Sequence, residues 1–203
     1  MADAKAAVAR EEARYTVPLS KMSIKPWPGR TDTKGIVGAL MISLAMIGIL
    51  QFGERLDTFF FGGLFPVSGR VISITMIGLG TMMYGVVGGL IVAEINPLIA
   101  TATGTSPIAP FWLLTNATQV LSAWIVGTRF SNVITWKATI TNAVLASIFI
   151  VILYIPLHIL YFQMPVEKLV PMYSFQTLWS VTLPAIFLRA ILKVVRDAGF
   201  VEE

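Results

Sequence analysis

The sequence predicts an all-α membrane protein, a bundle of about six transmembrane helices with both termini on the cytoplasmic side. Hydrophobic residue types make up 56% of the 203 residues, charged types only 13%, and the mean hydropathy is +0.77. A soluble domain carries roughly 25% charged residues. Glu94 is the only acidic or basic side chain between Arg70 and Arg129. Long uncharged apolar segments are typical of helices that cross a bilayer.

Three regions are expected along the chain. Residues 1–34 form a basic cytoplasmic segment that lies on the membrane surface or is a flexible tail, residues 35–195 form the transmembrane domain, and residues 196–203 form a short cytoplasmic tail. The predicted spans cover residues 35–52, 70–83, 85–100, 111–127, 137–162 and 172–195. The second and third are short for a bilayer, which needs about 20 residues per helix, and no charge separates them. They could instead be one long, bent segment.

The distribution of basic residues favours six spans over five. With the N-terminus inside, six spans place twelve Lys and Arg residues in the cytoplasm and only Arg55, Arg70 and Lys168 outside. Five spans would place eight inside and seven outside. Cytoplasmic loops carry an excess of Lys and Arg, so the six-span topology is preferred. The net charge of +4 is explained by this topology and does not indicate nucleic-acid binding.

The composition excludes several kinds of chemistry. The chain has no cysteine, so disulfides, thiolate metal sites and cysteine nucleophiles are ruled out. Its single histidine and scattered acids do not favour a metal site. No nucleophile-elbow, phosphate-loop or zinc-protease motif is present, and no helix carries a carboxylate pair. We therefore predict a protein that is not an enzyme and that needs no cofactor.

The segment 53–69 separates the first two predicted spans. It begins with the charged residues Glu54, Arg55 and Asp57 and ends in a stretch rich in Phe, Gly and Pro. This composition predicts a non-helical loop. Two placements are consistent with its apolar second half: a lid folded over the outer mouth of the bundle, or an interfacial segment anchored by its phenylalanines.

Polar residues recur at one depth of several spans, in the half nearer the outside. Glu94 lies in the third span, and an acid within the membrane is by default a functional hypothesis. Asn96-Pro97 is expected to break the helix just after it. Helical spacing places further polar and aromatic residues on single faces of spans four, five and six. These are Trp112, Asn116 and Gln119; Tyr154, His158 and Tyr161; and Tyr173, Gln176, Thr177 and Ser180.

These faces predict a polar cavity that opens toward the outside. The expected ligand-binding residues are Glu94, Trp112, Asn116, Gln119, Tyr154, His158, Tyr173 and Gln176. Glu94 would favour a ligand with positive charge or several hydrogen-bond donors. The alternatives are that the aromatic residues form an interfacial belt and that Glu94 and His158 make structural hydrogen bonds.

Small residues recur every four positions on the first span, at Gly35, Ala39 and Ser43. A stripe of small residues allows another helix to approach closely. The partner is either a helix of the same bundle or another membrane subunit.

Two segments of the chain resemble the substrate-binding S component of energy-coupling factor (ECF) transporters. The first is Phe61-Gly62-Gly63-Leu64-Phe65-Pro66-Val67-Ser68-Gly69-Arg70, before a short span. The second is Met83-Tyr84-Gly85-Val86-Val87-Gly88-Gly89-Leu90-Ile91, and Leu114-Thr115-Asn116 is also similar. In layout, the resemblance covers residues 35–195.

The resemblance implies a six-helix membrane subunit of a prokaryotic cell membrane, with both termini inside. Such a subunit binds a vitamin or vitamin precursor from outside under its first loop and performs no chemistry. A transmembrane coupling subunit and ATPase subunits supply the energy, and Ala39 and Ser43 match the positions that contact the coupling subunit. The 34-residue N-terminal extension departs from the family, and the lack of a histidine near the N-terminus argues against cobalt or nickel uptake.

Three functions are therefore considered. The first is uptake of a small micronutrient by a binding subunit of this kind. The second is a small proton-coupled carrier in which Glu94 and His158 relay the proton. The third is a structural subunit of a larger membrane complex that has no ligand of its own.

Overall fold

The computed structural model describes residues 31–61, 67–104, 109–130 and 132–198. Within these ranges the regular structure is entirely α-helical, as the sequence predicts. The helices are α1 Thr33–Phe61, α2 Val67–Thr103, α3 Ala109–Arg129, α4 Trp136–Leu160 and α5 Val166–Asp197. Most of the predicted N-terminal segment and the last five residues lie outside the described residues.

Four of these helices are long and apolar enough to cross a membrane: α1, α2, α4 and α5. Much of the surface that they expose is apolar, which is the arrangement expected of helices that face lipid. Helix α3 has 21 residues and carries Asn116, Gln119 and Ser122 in its middle. All three side chains are buried, so the polar groups of α3 face the inside of the bundle.

Helix α2 reverses direction at Gly85. This residue has φ 75° and ψ −168°, a backbone conformation outside the helical region and available in practice only to glycine. A Cβ atom added to Gly80 would come within 2.6 Å of a Val92 methyl group, although the two residues are twelve positions apart. A straight helix would separate them by about 18 Å. Residues 67–84 and 86–103 are therefore two arms that lie against each other, and they meet where the second and third predicted spans join.

The two arms of α2 form the centre of the bundle. They pack against α1, α3 and α5. In the most apolar 18-residue stretch of α2, 67% of the residues are buried, against 22–28% in the corresponding stretches of α1, α4 and α5. Gly78 lies against Asn142 of α4 and Leu188 of α5, so the first arm reaches both. The largest buried apolar side chains of the core are Met46, Ile74, Ile77, Met82, Leu188 and Leu192.

The predicted loop at 53–69 is wrong for most of its length, since α1 continues to Phe61 and α2 begins at Val67. Residues 62–66, the part of the predicted 53–69 lid that lies between the two helices, are outside the described residues. The polar residues that suggested a loop belong to the end of α1, whose 29 residues span about 43 Å and so exceed the roughly 30 Å hydrocarbon core. Asp57 is 4% exposed and accepts hydrogen bonds from the Ser68 amide (3.0 Å), the Ser68 hydroxyl (2.9 Å) and the Gly69 amide (3.2 Å). An acid of α1 thus caps the N-terminus of α2.

Two proline effects also differ from expectation. Helix α2 continues through Pro97 to Thr103, and α5 begins at Val166 and includes Pro171, six residues earlier than predicted. Neighbouring helices and side chains can satisfy the backbone groups that a proline frees, so a proline need not end a membrane helix.

The close contact of the two α2 arms gives a test of the fold. Gly88 lies so close to the Cβ atom of Tyr84 that an added methyl group cannot be accommodated without a backbone shift. We expect Gly88→Ala to lower the free energy of unfolding by about 1–3 kcal/mol, the range for overpacking. Thermal unfolding in detergent, followed by the fluorescence of the five tryptophans, measures the effect.

Gly48→Ala is the matched control, because Gly48 is a helical glycine of α1 with no atom within 4 Å of an added Cβ. Alanine favours a helix over glycine by about 0.5–1 kcal/mol, so this variant should be as stable as the wild type or slightly more so. Equal stability of both variants would contradict the close packing of the arms.

Candidate functional site

A cavity of about 890 Å³ lies within one end of the bundle. Side chains of all five helices line it, from the C-terminal parts of α1 and α4, both ends of α2, and the N-terminal parts of α3 and α5. In a bundle with the N-terminus inside and each α2 arm crossing once, these are the ends that face outside. Its lining includes Met46, Leu50, Asp57, Arg70, Asn96, Thr115, Ile150, Lys168 and Met172.

Six of the eight predicted ligand-binding residues lie in the wall of this cavity: Trp112, Asn116, Gln119, Tyr154, His158 and Gln176. The arrangement follows the predicted helical faces, because α3, α4 and α5 each contribute residues one or two turns apart. Tyr173 is buried behind the wall and contacts two of its residues. Glu94 is not part of the wall.

A hydrogen-bond chain ties α3 to the second arm of α2. Pro97 has no N–H, so the carbonyl of Ala93 four residues earlier has no intrahelical donor. The Asn116 side-chain amide donates to this carbonyl at 2.7 Å, and the Gln119 amide donates to the Asn116 oxygen at 3.2 Å. The carbonyl can only accept, so the direction of both amides is fixed along the chain. The Gln119 oxygen is therefore the free end of the chain, and it is an acceptor.

The inner part of the cavity carries acceptors that have no donor. Gln119 is 4% exposed and Gln176 is 1% exposed, and both line the cavity. Among the described residues, neither side-chain oxygen receives a hydrogen bond. Buried polar atoms are nearly always paired, and Ser43, Glu94, Ser147 and Ser180 also have unpaired buried oxygens away from the wall. The two glutamine oxygens are the ones whose residues line the cavity, and they are the candidate positions at which a ligand or water would donate. By contrast, the side-chain oxygen of the buried Asn142 accepts a hydrogen bond from the Ser122 hydroxyl at 3.2 Å.

An aromatic and cationic cluster lies nearer the mouth. The Arg70 guanidinium carbon is 5.4 Å from the ring centroids of both Tyr154 and Tyr173, within the range of a cation–π interaction. The Tyr173 hydroxyl lies 2.8 Å from Nδ1 of His158, which is also 2.9 Å from the Tyr154 carbonyl oxygen. His158 is thus held by two neighbours, and the cluster connects α2, α4 and α5.

The structure places Glu94 outside the set of residues that line the cavity. Asn96 lines the cavity, and Glu94 precedes it by two residues, which places the two side chains about 200° apart around the helix. Both Glu94 carboxylate oxygens are buried and have no hydrogen-bond partner among the described residues. That Glu94 contacts a ligand and favours a positively charged one therefore stays a prediction, without support from the cavity lining.

The small residues of α1 are placed mainly inside the bundle. Ala39 and Ser43 are 0% exposed and Gly35 is also buried, so in this conformation none of the three offers surface to another subunit. Gly38, one residue before Ala39, receives the ring of Tyr84 from α2. Of the two roles considered for this stripe, the structure places Ala39 and Ser43 in packing within the bundle.

Arg70 is the residue that sequence reasoning missed. The sequence analysis used Arg70 only to assign the topology, as one of three basic residues on the outer side. In the structure it is 9% exposed and lies in the cavity wall. The available signal was its position at the beginning of an apolar span, because a charge there either extends to the interface or faces the bundle interior. Asp57 and Lys168 also line the cavity and were not predicted.

Comparisons of the chain with protein-family models, curated proteins and solved structures found no match. The resemblance to the S component therefore depends on the chain's own residues, and the cavity is the main structural evidence on function.

The link between Pro97 and Asn116 gives a test of the site's architecture. Asn116→Ala leaves the Ala93 carbonyl buried without a donor, and we expect the free energy of unfolding to fall by about 1–3 kcal/mol. The double variant Pro97→Ala with Asn116→Ala restores an N–H at position 97, which can bond to Ala93 within the helix. Its thermal unfolding temperature in detergent should recover toward that of the wild type. Additive losses in the double variant would show that Pro97 and Asn116 are not coupled through this carbonyl.

Proposed function

We propose that this protein is a membrane-embedded binding subunit for uptake of a small micronutrient, a vitamin or vitamin precursor, similar to the S component of ECF transporters. Separate coupling and ATPase subunits would supply the energy. The observation that carries the proposal is the cavity at one end of the bundle, with buried acceptors that have no partner in the described part of the chain. A volume of about 890 Å³ is within the roughly 300–1,000 Å³ of small-molecule sites.

The proposed topology has six crossings with both termini in the cytoplasm. Each arm of α2 has about 18 residues on its side of Gly85 and a length of about 27 Å, close to the roughly 30 Å hydrocarbon core. With six crossings, most basic residues lie on the cytoplasmic side, as the positive-inside rule expects. The helix ends that line the cavity then lie on the outer side of the membrane. The protein would therefore take its solute from outside the cell.

Binding without chemistry is the role that the cavity's residues support. The wall combines aromatic side chains, amides and a guanidinium, which orient and hold a planar or polar molecule. Release to the cytoplasm would need a rearrangement driven by the partner subunits.

A proton-coupled carrier is the second candidate, and Glu94 is the observation that favours it. A buried carboxylate without a partner is costly when charged, so this group favours the protonated form or a bound cation. His158, the other residue of the predicted relay, is in the cavity wall, whereas Glu94 is outside it. Only one of the two residues therefore lines the cavity, which weakens the relay.

The topology can be tested with single cysteines, because the chain contains none. With six crossings, Ala102→Cys and Glu167→Cys should react in intact cells with a thiol reagent that does not cross the membrane, since both exposed positions lie at outer ends of helices. Thr128→Cys and Asp197→Cys should react only after the cells are opened. A single crossing by the whole of α2 would reverse the labelling of all four positions.

Binding is tested by mass spectrometry of the detergent-purified protein after incubation with a mixed vitamin pool. We expect release of about one equivalent of one small molecule on denaturation. Gln176→Leu removes a cavity acceptor and should lower retention about tenfold, because the donor of the bound molecule is then left unpaired. Glu94→Gln, outside the wall, should retain the molecule within about twofold of the wild type.

Release of no molecule would contradict the proposal and favour a structural subunit. If proteoliposomes without any ATPase accumulate the solute under a proton gradient, and Glu94→Gln abolishes that uptake, the protein is instead a proton-coupled carrier.

A further inference from the structure

The cavity contains a buried cation that lacks a protein counter-ion in the described part of the chain. Arg70 is 9% exposed, and among the described residues no carboxylate lies within ion-pair distance of its guanidinium. Burying a charge without a partner is costly. The rings of Tyr154 and Tyr173 offset part of this cost through cation–π contacts.

The acid that shares the cavity wall with Arg70 is already engaged. Both Asp57 oxygens accept from the amides of Ser68 and Gly69, and one also accepts from the Ser68 hydroxyl. Asp57 therefore stabilises the N-terminus of α2, and it also fills the place where those amides would otherwise bind an external anion. What is left for an anion is the guanidinium of Arg70, with the exposed ammonium group of Lys168 in the same wall.

The unpaired acceptors lie deeper in the cavity than this cation. Gln176 follows Tyr173, which contacts Arg70, by three residues of α5, or about 4.5 Å along the helix axis. Gln119 follows Asn116 by one turn of α3 in the same direction into the bundle. A molecule that pairs with Arg70 and also donates to Gln119 and Gln176 must carry negative charge near the mouth of the cavity. Its N–H or O–H groups must lie about one helical turn further in.

We propose that the solute is a small organic carboxylate that carries hydrogen-bond donors, with its carboxylate paired to Arg70 and its donors directed at Gln119 and Gln176. This inference rests on the proposed binding function and assigns its ligand class. A carboxylate is preferred to a phosphate because one buried guanidinium, with the helix N-terminus already occupied, matches a single negative charge. The rings of Tyr154 and Tyr173 lie on the guanidinium at 5.4 Å and hold it in the cavity wall, where its fork of N–H groups matches a carboxylate.

The experiment uses the full-length protein in detergent, incubated with a small-molecule extract of its expression host and then washed. Released compounds are identified by accurate mass after denaturation. We expect one enriched compound that has a carboxylate and at least one N–H or O–H donor. Arg70→Gln should reduce its retention about tenfold or more, as expected when one partner of a buried charge pair is lost. Arg129→Gln makes the same change in net charge at an exposed position outside the wall and should retain the compound like the wild type.

A second measurement does not require the Arg70 variant to fold. The released compound is compared with its methyl ester, which keeps the donors and loses the charge. The ester should bind the wild-type protein about tenfold more weakly or worse, and Arg70→Gln, if folded, should bind acid and ester alike.

Each other outcome overturns the inference in a recognisable way. Release of a neutral or cationic compound that Arg70→Gln still retains would refute the carboxylate and leave the binding function standing. Release of only a fatty acid or an acidic phospholipid would refute it too, because the deep acceptors then have no specific donors and the anion comes from the bilayer. Release of no compound would overturn both this inference and the proposed function.

Discussion

Within a hydrocarbon layer a polar group can find a partner only in the protein itself, and this constraint governs the bundle. Buried threonines return their hydroxyls to the helix backbone: Thr75 to the Val71 carbonyl (2.7 Å) and Thr81 to the Ile77 carbonyl (2.8 Å). Asp57 satisfies amides at the beginning of α2, and Asn116 satisfies the carbonyl that Pro97 leaves open. Among the described residues the exceptions are oxygens of Ser43, Glu94, Gln119, Ser147, Gln176 and Ser180, and of these residues only Gln119 and Gln176 line the cavity.

The glycines of α2 allow this polar architecture to exist in a small protein. Gly85 lets the chain reverse within one residue, and the glycines at 80, 88 and 89 let the two arms approach at backbone distance. A hairpin of this kind places two helical segments at the centre of the bundle with little side-chain volume between them. Both ends of the hairpin meet at one end of the bundle, and there they line the cavity together with the other four helices.

The sequence predicted the elements that depend on periodicity and composition. The all-α class, the apolar spans and the shared face of Trp112, Asn116 and Gln119 follow from hydropathy and from 3.6-residue spacing. The direction of a lone polar residue does not follow in this way, since Glu94 has no neighbour of its kind to define a face. Arg70 was missed as a site residue because it lies at the edge of a predicted span. A basic residue there is equally well explained as part of an external loop. The extension of α1 past Glu54 depends on a tertiary contact, the hydrogen bonds of Asp57 with Ser68 and Gly69, which local composition cannot reveal.

Helix α1 differs from the other four in how it is attached. Within the described residues its main interface is with α2 alone, whereas each of the other helices has extensive interfaces with two or more neighbours. It also supplies part of the cavity wall, through Met46, Leu50, Asp57 and Thr58. Tilting α1 therefore disturbs one interhelical interface, whereas moving any other helix disturbs at least two. A change in the shape of the cavity that involves α1 is therefore accommodated at one place, the seam between α1 and the hairpin.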